Sequence, residues 1–486
     1  MAHLLKREAL TQRFTLLGLG TIALTLPYAI PAIGELLKTK LGGERGIYLP
    51  KPVDNQTFYF EFSAALLIIG VCIARLFWPN RIVPVDNRLS SPDSVQSGNY
   101  RRWFVAHSLL LLAFAFFFIE VASIIDAPSA RNAIGALLLP LCGLGTFGLA
   151  SSLWSERRAA EKIFALAAIA SIPATIYAVA QSQGYEILPY RKFSGDAALE
   201  ELFAKQKVSS TFGHPNYMAS YIGPVAFCAL YFIVSVRTRL RRFSAVIAFV
   251  CIVAALIVGG TRGAWVGIAA GFVPFYLLLT FSPRYRRQLL FAAGLAIFVT
   301  LLIAFVPLPF FRLKLDLGKR LLASQEISQR FYYWLVALQM FKAQPLLGIG
   351  YGSFNVMFWD YVARFQQSPD SALFKFVLSE QIRGVSPGFV HNDYLQIAAE
   401  TGVFALLIWL AFWSALLAQV WETAKRVRAN HQATIFCAAI LGAFVAFAVD
   451  GMFNFPLHIP VSSFFFWLLV GLWVARRETL LPGSTD

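Results

Sequence analysis

The sequence predicts an all-α polytopic membrane protein with about twelve transmembrane helices and a large outer loop that contains short helices. Three observations predict it. Of 486 residues, 58% are hydrophobic and 14% charged, whereas a soluble domain carries about a quarter charged residues. The apolar residues gather into runs of the roughly 20 residues that a hydrocarbon core requires. The basic residues fall mainly in alternate connections between those runs, as they do in inserted bundles. Disorder, collagen and coiled coil are excluded by composition. Cys72, Cys142, Cys228, Cys251 and Cys437 stand singly in apolar stretches, which excludes a disulfide framework or a paired-cysteine zinc site.

Read in order, the runs are 14–36, 57–78, 104–125, 132–153, 163–181, 217–235, 243–260, 263–281, 289–306, 394–420, 433–452 and 461–474. The first is expected to stay as a span: it is long and lacks a small-residue cleavage site. Pro27 and Pro31 within it predict a kink that neighbouring helices can accommodate. The last run is short and is expected to extend back toward Phe455.

Charge sets the expected orientation. With a cytoplasmic N-terminus, the inner segments hold 23 of the 42 Lys and Arg against 8 acids; outer loops and spans together hold 19 bases and 18 acids. The net charge of +16 is therefore mostly topological, with both termini inside. Because it lies in short loops beside spans, it does not make a nucleic-acid surface.

Three regions follow. Residues 1–306 hold spans one to nine with an outer loop at 182–216, 307–393 form the large outer loop, and 394–486 hold spans ten to twelve and a cytoplasmic tail. Long loops on a compact bundle tend to carry function. Within the large loop, 327–342 reads as a helix with Phe331, Trp334, Leu335, Leu338 and Phe341 on one period. That stripe places the helix on the bundle or in the membrane interface.

Ionisable residues in or near a bilayer are functional candidates by default. Arg262, in Gly260-Thr261-Arg262-Gly263, is the only charge between Arg242 and Arg284 and falls where two spans meet at the outer face. Arg330 opens the loop helix; Arg320, Arg364 and Arg383 are weaker candidates nearby. His391 stands at the outer mouth of span ten, where a side chain that titrates near neutrality can take a proton from a hydroxyl. Glu400 follows nine residues later, about 13 Å along a helix, too far for a direct dyad. His214, Asp450 and His458 also lie at outer mouths, each with a structural alternative. Gly348-Ile349-Gly350-Tyr351-Gly352 lacks the preceding strand and closing Lys-Ser/Thr of a phosphate loop. No metal-ligand spacing is present, so neither metal nor cofactor is expected.

Guanidinium forks suit phosphate oxygens. Two of them near a histidine fit a lipid-diphosphate donor and a base that activates an incoming hydroxyl, with leaving-group charge compensated by arginine.

Four segments also carry a family resemblance: Ser210–Asn216; Gly260-Thr261-Arg262-Gly263-Ala264; Arg330 followed by Trp334, Ala337, Pro345 and the Gly348–Phe354 run; and His391-Asn392-Asp393-Tyr394 leading to Glu400-Thr401-Gly402. In that order they resemble the O-antigen ligase superfamily of membrane glycosyltransferases, which includes O-antigen polymerases and protein O-oligosaccharyltransferases. Gly402 sits at the ligase spacing from His391, whereas the last position of the pattern is Ala405, a departure.

The resemblance implies a twelve-helix GT-C-like fold in the bacterial inner membrane, with the site facing the periplasm. It implies an undecaprenyl-diphosphate-linked glycan donor, a lipid A-core or other glycan acceptor, and inverting transfer without a metal, as in lipopolysaccharide biosynthesis. His391 would be the catalytic base, and Arg262 and Arg330 would bind the donor diphosphate. His214, Asn216, Asn392 and Asp450 would contact donor or acceptor. An O-antigen or exopolysaccharide polymerase and a protein O-oligosaccharyltransferase differ in acceptor rather than chemistry, so they stay open. A lipid-linked sugar transporter is a rival of another class; it predicts repeat symmetry and broken helices at the midplane, neither of which the sequence displays.

Overall fold

The computed structural model describes residues 12–13, 15–23, 92–153, 158–185, 208–280, 324–366 and 387–480. Those residues are helical or irregular, with no strand among them. The helices are α1 (Pro92–Ser123), α2 (Ala130–Ala136), α3 (Leu138–Ser151), α4 (Ala159–Ser182), α5 (Pro215–Ser235) and α6 (Arg239–Gly259). They continue with α7 (Arg262–Thr280), α8 (Ser324–Ala343), α9 (Phe354–Gln366), α10 (Asp393–Arg426), α11 (His431–Asp450) and α12 (Pro460–Leu480).

Eight stretches of the described residues are long and apolar enough to cross a membrane. They coincide with the expected runs 104–125, 132–153, 163–181, 217–235, 243–260, 263–281, 394–420 and 433–452. Run 461–474 is also helical, as α12, and starts at Pro460 after a 3₁₀ turn at Pro456–His458. Run 14–36 is described only at 15–23, which is helical, and runs 57–78 and 289–306 lie outside the described residues. The same holds for most of the 182–216 loop and for 307–323 and 367–386 of the large loop, and for Arg320 and Arg383.

Small residues decide how closely these helices approach, because between apolar helices in lipid the gain comes from backbone proximity and packing. Gly263, Gly267 and Gly271 recur every fourth residue along α7 and face α11. A Cβ at Gly267 would stand 2.6 Å from the Ala446 carbonyl oxygen, and one at Gly271 would clash with the Gly442 carbonyl and the Phe227 ring. The first turn of α7 is thereby pressed onto the C-terminal end of α11. Gly271→Leu has nowhere to go in this seam. It should destabilise the fold by at least the roughly 1–3 kcal/mol of an overpacked core, read as a lowered thermal midpoint in detergent. Elsewhere Gly471 of α12 admits Ala150 and the Phe147 carbonyl of α3, and Trp409, Phe412, Trp413, Phe447, Phe466 and Trp467 stack where α10, α11 and α12 meet.

Helix α10 is broken. Gly402 has φ 79° and ψ −174° inside it, and a Cβ there would overlap the Leu346 carbonyl. The break frees backbone groups that the loop after α8 satisfies. Val403 N donates to Pro345 O at 2.8 Å, Ile349 N to Ala399 O at 3.0 Å and Gly350 N to Glu400 O at 3.0 Å. A discontinuous helix does occur, contrary to the sequence-based expectation, but its broken segment is filled by the chain's own glycine loop. In lipid such irregular backbone persists only where protein satisfies it.

The loop helix expected at 327–342 is α8, and it packs on α10. Its protein-facing side is Tyr332, Val336, Ala337 and Met340, all buried, whereas Phe331 and Leu338 of the expected stripe are exposed. Trp334, Leu335 and Phe341 of the stripe are half-buried, so the stripe straddles the edge between the packed face and the outward one.

Candidate active site

The starts of α5, α7, α10 and α12 and the end of α11 meet at one end of the bundle. At the opposite ends stand Arg239, Arg241 and Arg242 of α6, Lys425 and Arg426 of α10, and Arg476 of α12, which bonds Glu161 at 3.4 Å. The segregation of charge seen in the sequence is therefore a segregation in space.

The connection between α11 and α12, residues 451–459, is the hub of the first end. Arg330 Nη1 donates to Phe453 O at 2.8 Å. Asn454 Nδ2 donates to Asp450 Oδ1, while Ser220 Oγ of α5 donates to Asp450 Oδ2. A Cβ at Gly263, the residue after Arg262, would touch Phe453, Asn454 and Asp450. One short segment thus gathers Arg262, Arg330 and Asp450, which are far apart in sequence.

His391 is the last residue but one before α10. Its φ is 59°, in the left-handed region that side chains rarely adopt, so the surroundings must hold it there. Its ring stacks on Tyr333 at 5.9 Å and meets the Phe455 ring edge-on at 4.7 Å. Trp334 Nε1 donates to the His391 carbonyl at 3.4 Å. Nδ1 is buried and has no hydrogen-bond partner among the described residues. Such an unsatisfied group costs about 1–3 kcal/mol, and unsatisfied buried groups are rare enough to need an explanation. Burial first, and then the positive charge of Arg330, push its pKa down to about 3, so the imidazole is neutral at physiological pH.

The other expected residues divide into site neighbours and structural caps. His214 caps α5, its Nδ1 accepting from Asn216 N at 3.1 Å. Its proton in the neutral ring is therefore on Nε2. Asn216 Oδ1 accepts from Thr261 Oγ1 at 3.5 Å, tying the start of α5 to the residue before Arg262. Asn392 caps α10, Oδ1 accepting from Leu395 N at 3.0 Å. All seven expected residues lie at this end of the bundle, but His214 and Asn392 have side-chain atoms committed to backbone.

Glu400 is not part of this group. Its carboxylate accepts from Gly352 N at 3.1 Å and from Phe354 N at 2.9 Å, so it anchors the glycine loop and the start of α9. The amides that resemble a phosphate cradle bind the chain's own carboxylate.

Sequence reasoning passed over Asp393. Its Oδ1 is 2.9 Å from His458 Nδ1, and its Oδ2 accepts from Leu457 N at 3.0 Å. Its own N donates to Gly451 O at 2.8 Å. Burial alone would lower the His458 pKa, but the bond to Asp393, that carboxylate's charge and Glu400 together raise it above its ordinary value. The only hint in sequence was an acid two residues after His391.

Among the described residues no three His, Cys, Asp or Glu converge on a metal-binding point. The convergent groups are instead guanidinium and imidazole, which suit an anionic, oxygen-rich ligand. No curated protein matches the sequence. Residues 247–410, which include Arg262, Arg330, His391 and Asp393, match the family model described as O-antigen ligase. The match over these residues supports the O-antigen ligase superfamily.

Proposed function

We propose that the protein transfers a glycan from an undecaprenyl-diphosphate-linked donor to an acceptor hydroxyl at the periplasmic face of the bacterial inner membrane, with lipid A-core as acceptor. The observation that carries this reading is His391: a neutral imidazole with an unsatisfied buried nitrogen, held in a strained backbone between two aromatic rings, with Arg330 as the charge that most lowers its pKa. Strain of this kind persists where the surroundings over-determine it, and it clusters at active sites.

In this mechanism His391 removes the proton from the acceptor hydroxyl. The oxygen attacks the anomeric carbon opposite the diphosphate, forming the new glycosidic bond as the carbon–oxygen bond to phosphate breaks. The anomeric centre inverts, and undecaprenyl diphosphate leaves with the bonding electrons. Arg262 and Arg330 face that developing charge; the starts of α5, α7 and α10 add the positive ends of their helix dipoles. His214, Asn216, Asn392 and Asp450 surround the donor or acceptor, His214 and Asn392 mainly by fixing backbone. Twelve spans in a GT-C-like arrangement, cytoplasmic termini and metal-independent transfer belong to the same reading.

A base with a pKa near 3 is a weak one, and efficient general bases lie near the working pH. The donor resolves this. A diphosphate against Arg330 offsets the charge that helps depress His391, so its pKa rises when donor binds. Since the base must be neutral, activity falls as pH drops through that pKa. The acid limb of kcat, which reports the complex, should therefore stand at higher pH than that of kcat/KM, which reports the free enzyme. Coincident limbs would remove the donor effect from the account.

The acceptor is tested with purified full-length protein and a lipid-diphosphate glycan, offered lipid A-core, a second lipid-linked repeat or a peptide. Transfer to lipid A-core is expected. Transfer only to the lipid-linked repeat would identify a polymerase, and transfer only to peptide a protein O-oligosaccharyltransferase. ATP-independent movement of donor across vesicles without transfer would favour the transporter.

A further inference from the structure

We propose that Asp393 and His458 are a positioning pair that clamps the 451–459 connection onto the start of α10, and so fixes the separation of His391 from the arginine-bearing half of the site. The inference rests on the glycosyl-transfer reading above.

Asp393 is two residues from His391 and grips the connection at both ends. Its backbone N–H holds Gly451 O, and its carboxylate holds Leu457 N and His458 Nδ1. Between those grips lie Phe453, whose carbonyl takes Arg330 at 2.8 Å, and Asn454, which bonds Asp450. Phe455, also within the span, packs against His391 at 4.7 Å and against Phe389 at 4.4 Å. Ser462 Oγ donates to Pro456 O at 2.7 Å and closes the far side. Arg330 and His391 are thus attached to one rigid segment by separate links, and Asp393 is the link that closes the frame.

The pair is buried: the side chains of His458 and Asp393 are 10% and 4% exposed. An ionised carboxylate has only acceptors, so the proton in this bond is on His458 Nδ1. The ring also stacks on Tyr351 at 6.4 Å and lies 5.6 Å from Phe389. The titratable groups that face it are Asp393 and Glu400 from α10 and Tyr351 from the glycine loop, with Glu120 of α1 behind Tyr351. None of these is a cation, so the field around His458 favours its charged form. A histidine with a raised folded-state pKa contributes fully below its ordinary pKa, and that contribution is lost as pH rises through the raised value. The clamp should therefore loosen on the alkaline side.

Positioning acts on rate, because an error of about 1 Å in reacting groups can cost about a hundredfold. The test uses full-length protein in detergent. His458→Phe keeps a ring but removes the donor; it should lower kcat about tenfold or more while donor KM stays within about twofold. His458→Asn keeps an N–H toward Asp393 but cannot gain charge. It should retain most of kcat at neutral pH and lose the alkaline decline attributed to His458. Asp393→Asn should lower kcat and speed hydrogen exchange at the Leu457 amide.

Wild-type kcat and an unchanged pH profile in His458→Phe would overturn the proposal. So would a loss that merely tracks the fraction of folded protein. Leu457 exchange separates this claim from the functional reading. If wild type transfers nothing, the transfer reading fails, while faster exchange in Asp393→Asn still supports the clamp and equal exchange rejects it.

Discussion

Replacing His391 by asparagine is expected to cut transfer by about 10²–10⁴-fold, the contribution of a positioned general base, while the protein stays folded. Asparagine is the informative replacement because it tolerates the left-handed backbone that His391 adopts at φ 59°. Alanine would add strain to the loss of the ring and confuse the two effects. The loss should appear in kcat more than in donor KM, since a base acts as the acceptor proton moves. A His391→Asn protein with wild-type rate and unchanged thermal midpoint would show that the imidazole serves only to pack between Tyr333 and Phe455.

The second large effect concerns the arginines. Removing one charge-stabilising donor from an active site typically costs about 10²–10³-fold, and that range is expected for Arg262→Ala and Arg330→Ala. The two should differ in kind. Arg262 opens α7, whereas burial and Arg330 are what chiefly depress the His391 pKa, so loss of Arg262 should weaken donor use with little movement of the acid limb. Arg330 both holds Phe453 O and helps depress the His391 pKa. Its loss should weaken donor use and move the acid limb of kcat/KM to higher pH. Lysine at Arg330 should restore charge but not the fork, giving back the limb position more than the rate. Unchanged donor kinetics in Arg262→Ala and Arg330→Ala would remove both from the site.

Much of the bundle was legible because a membrane span announces itself by length: runs such as 217–235 and 433–452 need only an apolar count. The ends were less so. Run 132–153 is assigned as two helices, α2 and α3, that meet at Leu137, an interruption that continuous hydropathy does not show. The packed face of α8 was not legible for a related reason. Where one side of a helix meets protein and the other meets the membrane interface, both are apolar, and periodicity does not say which is buried. The break at Gly402 was also silent, since a lone glycine is ordinary in a transmembrane helix.

Of the site, the out-of-place charges were legible and their connections were not. Arg262 and His391 stood out because charge and imidazole are costly near a bilayer, and Arg330 through the family resemblance. Asp393 and His458 are 65 residues apart, and an acid at the first position of a helix reads as a routine dipole partner. Glu400, already too far along the helix for a dyad with His391, instead holds Gly352 and Phe354 with its carboxylate, a role that spacing alone does not reveal.

The central claim is that this bundle end moves a glycan off a lipid diphosphate with His391 as base. Its most direct test is a single-turnover assay of purified full-length protein with an undecaprenyl-diphosphate-linked glycan and lipid A-core, following both products. The account predicts that undecaprenyl diphosphate and the inverted glycan adduct appear together and in equal amounts with wild type, and that both slow at least a hundredfold in His391→Asn. Equal rates for the two proteins, or adduct formed with retained anomeric configuration, would contradict it.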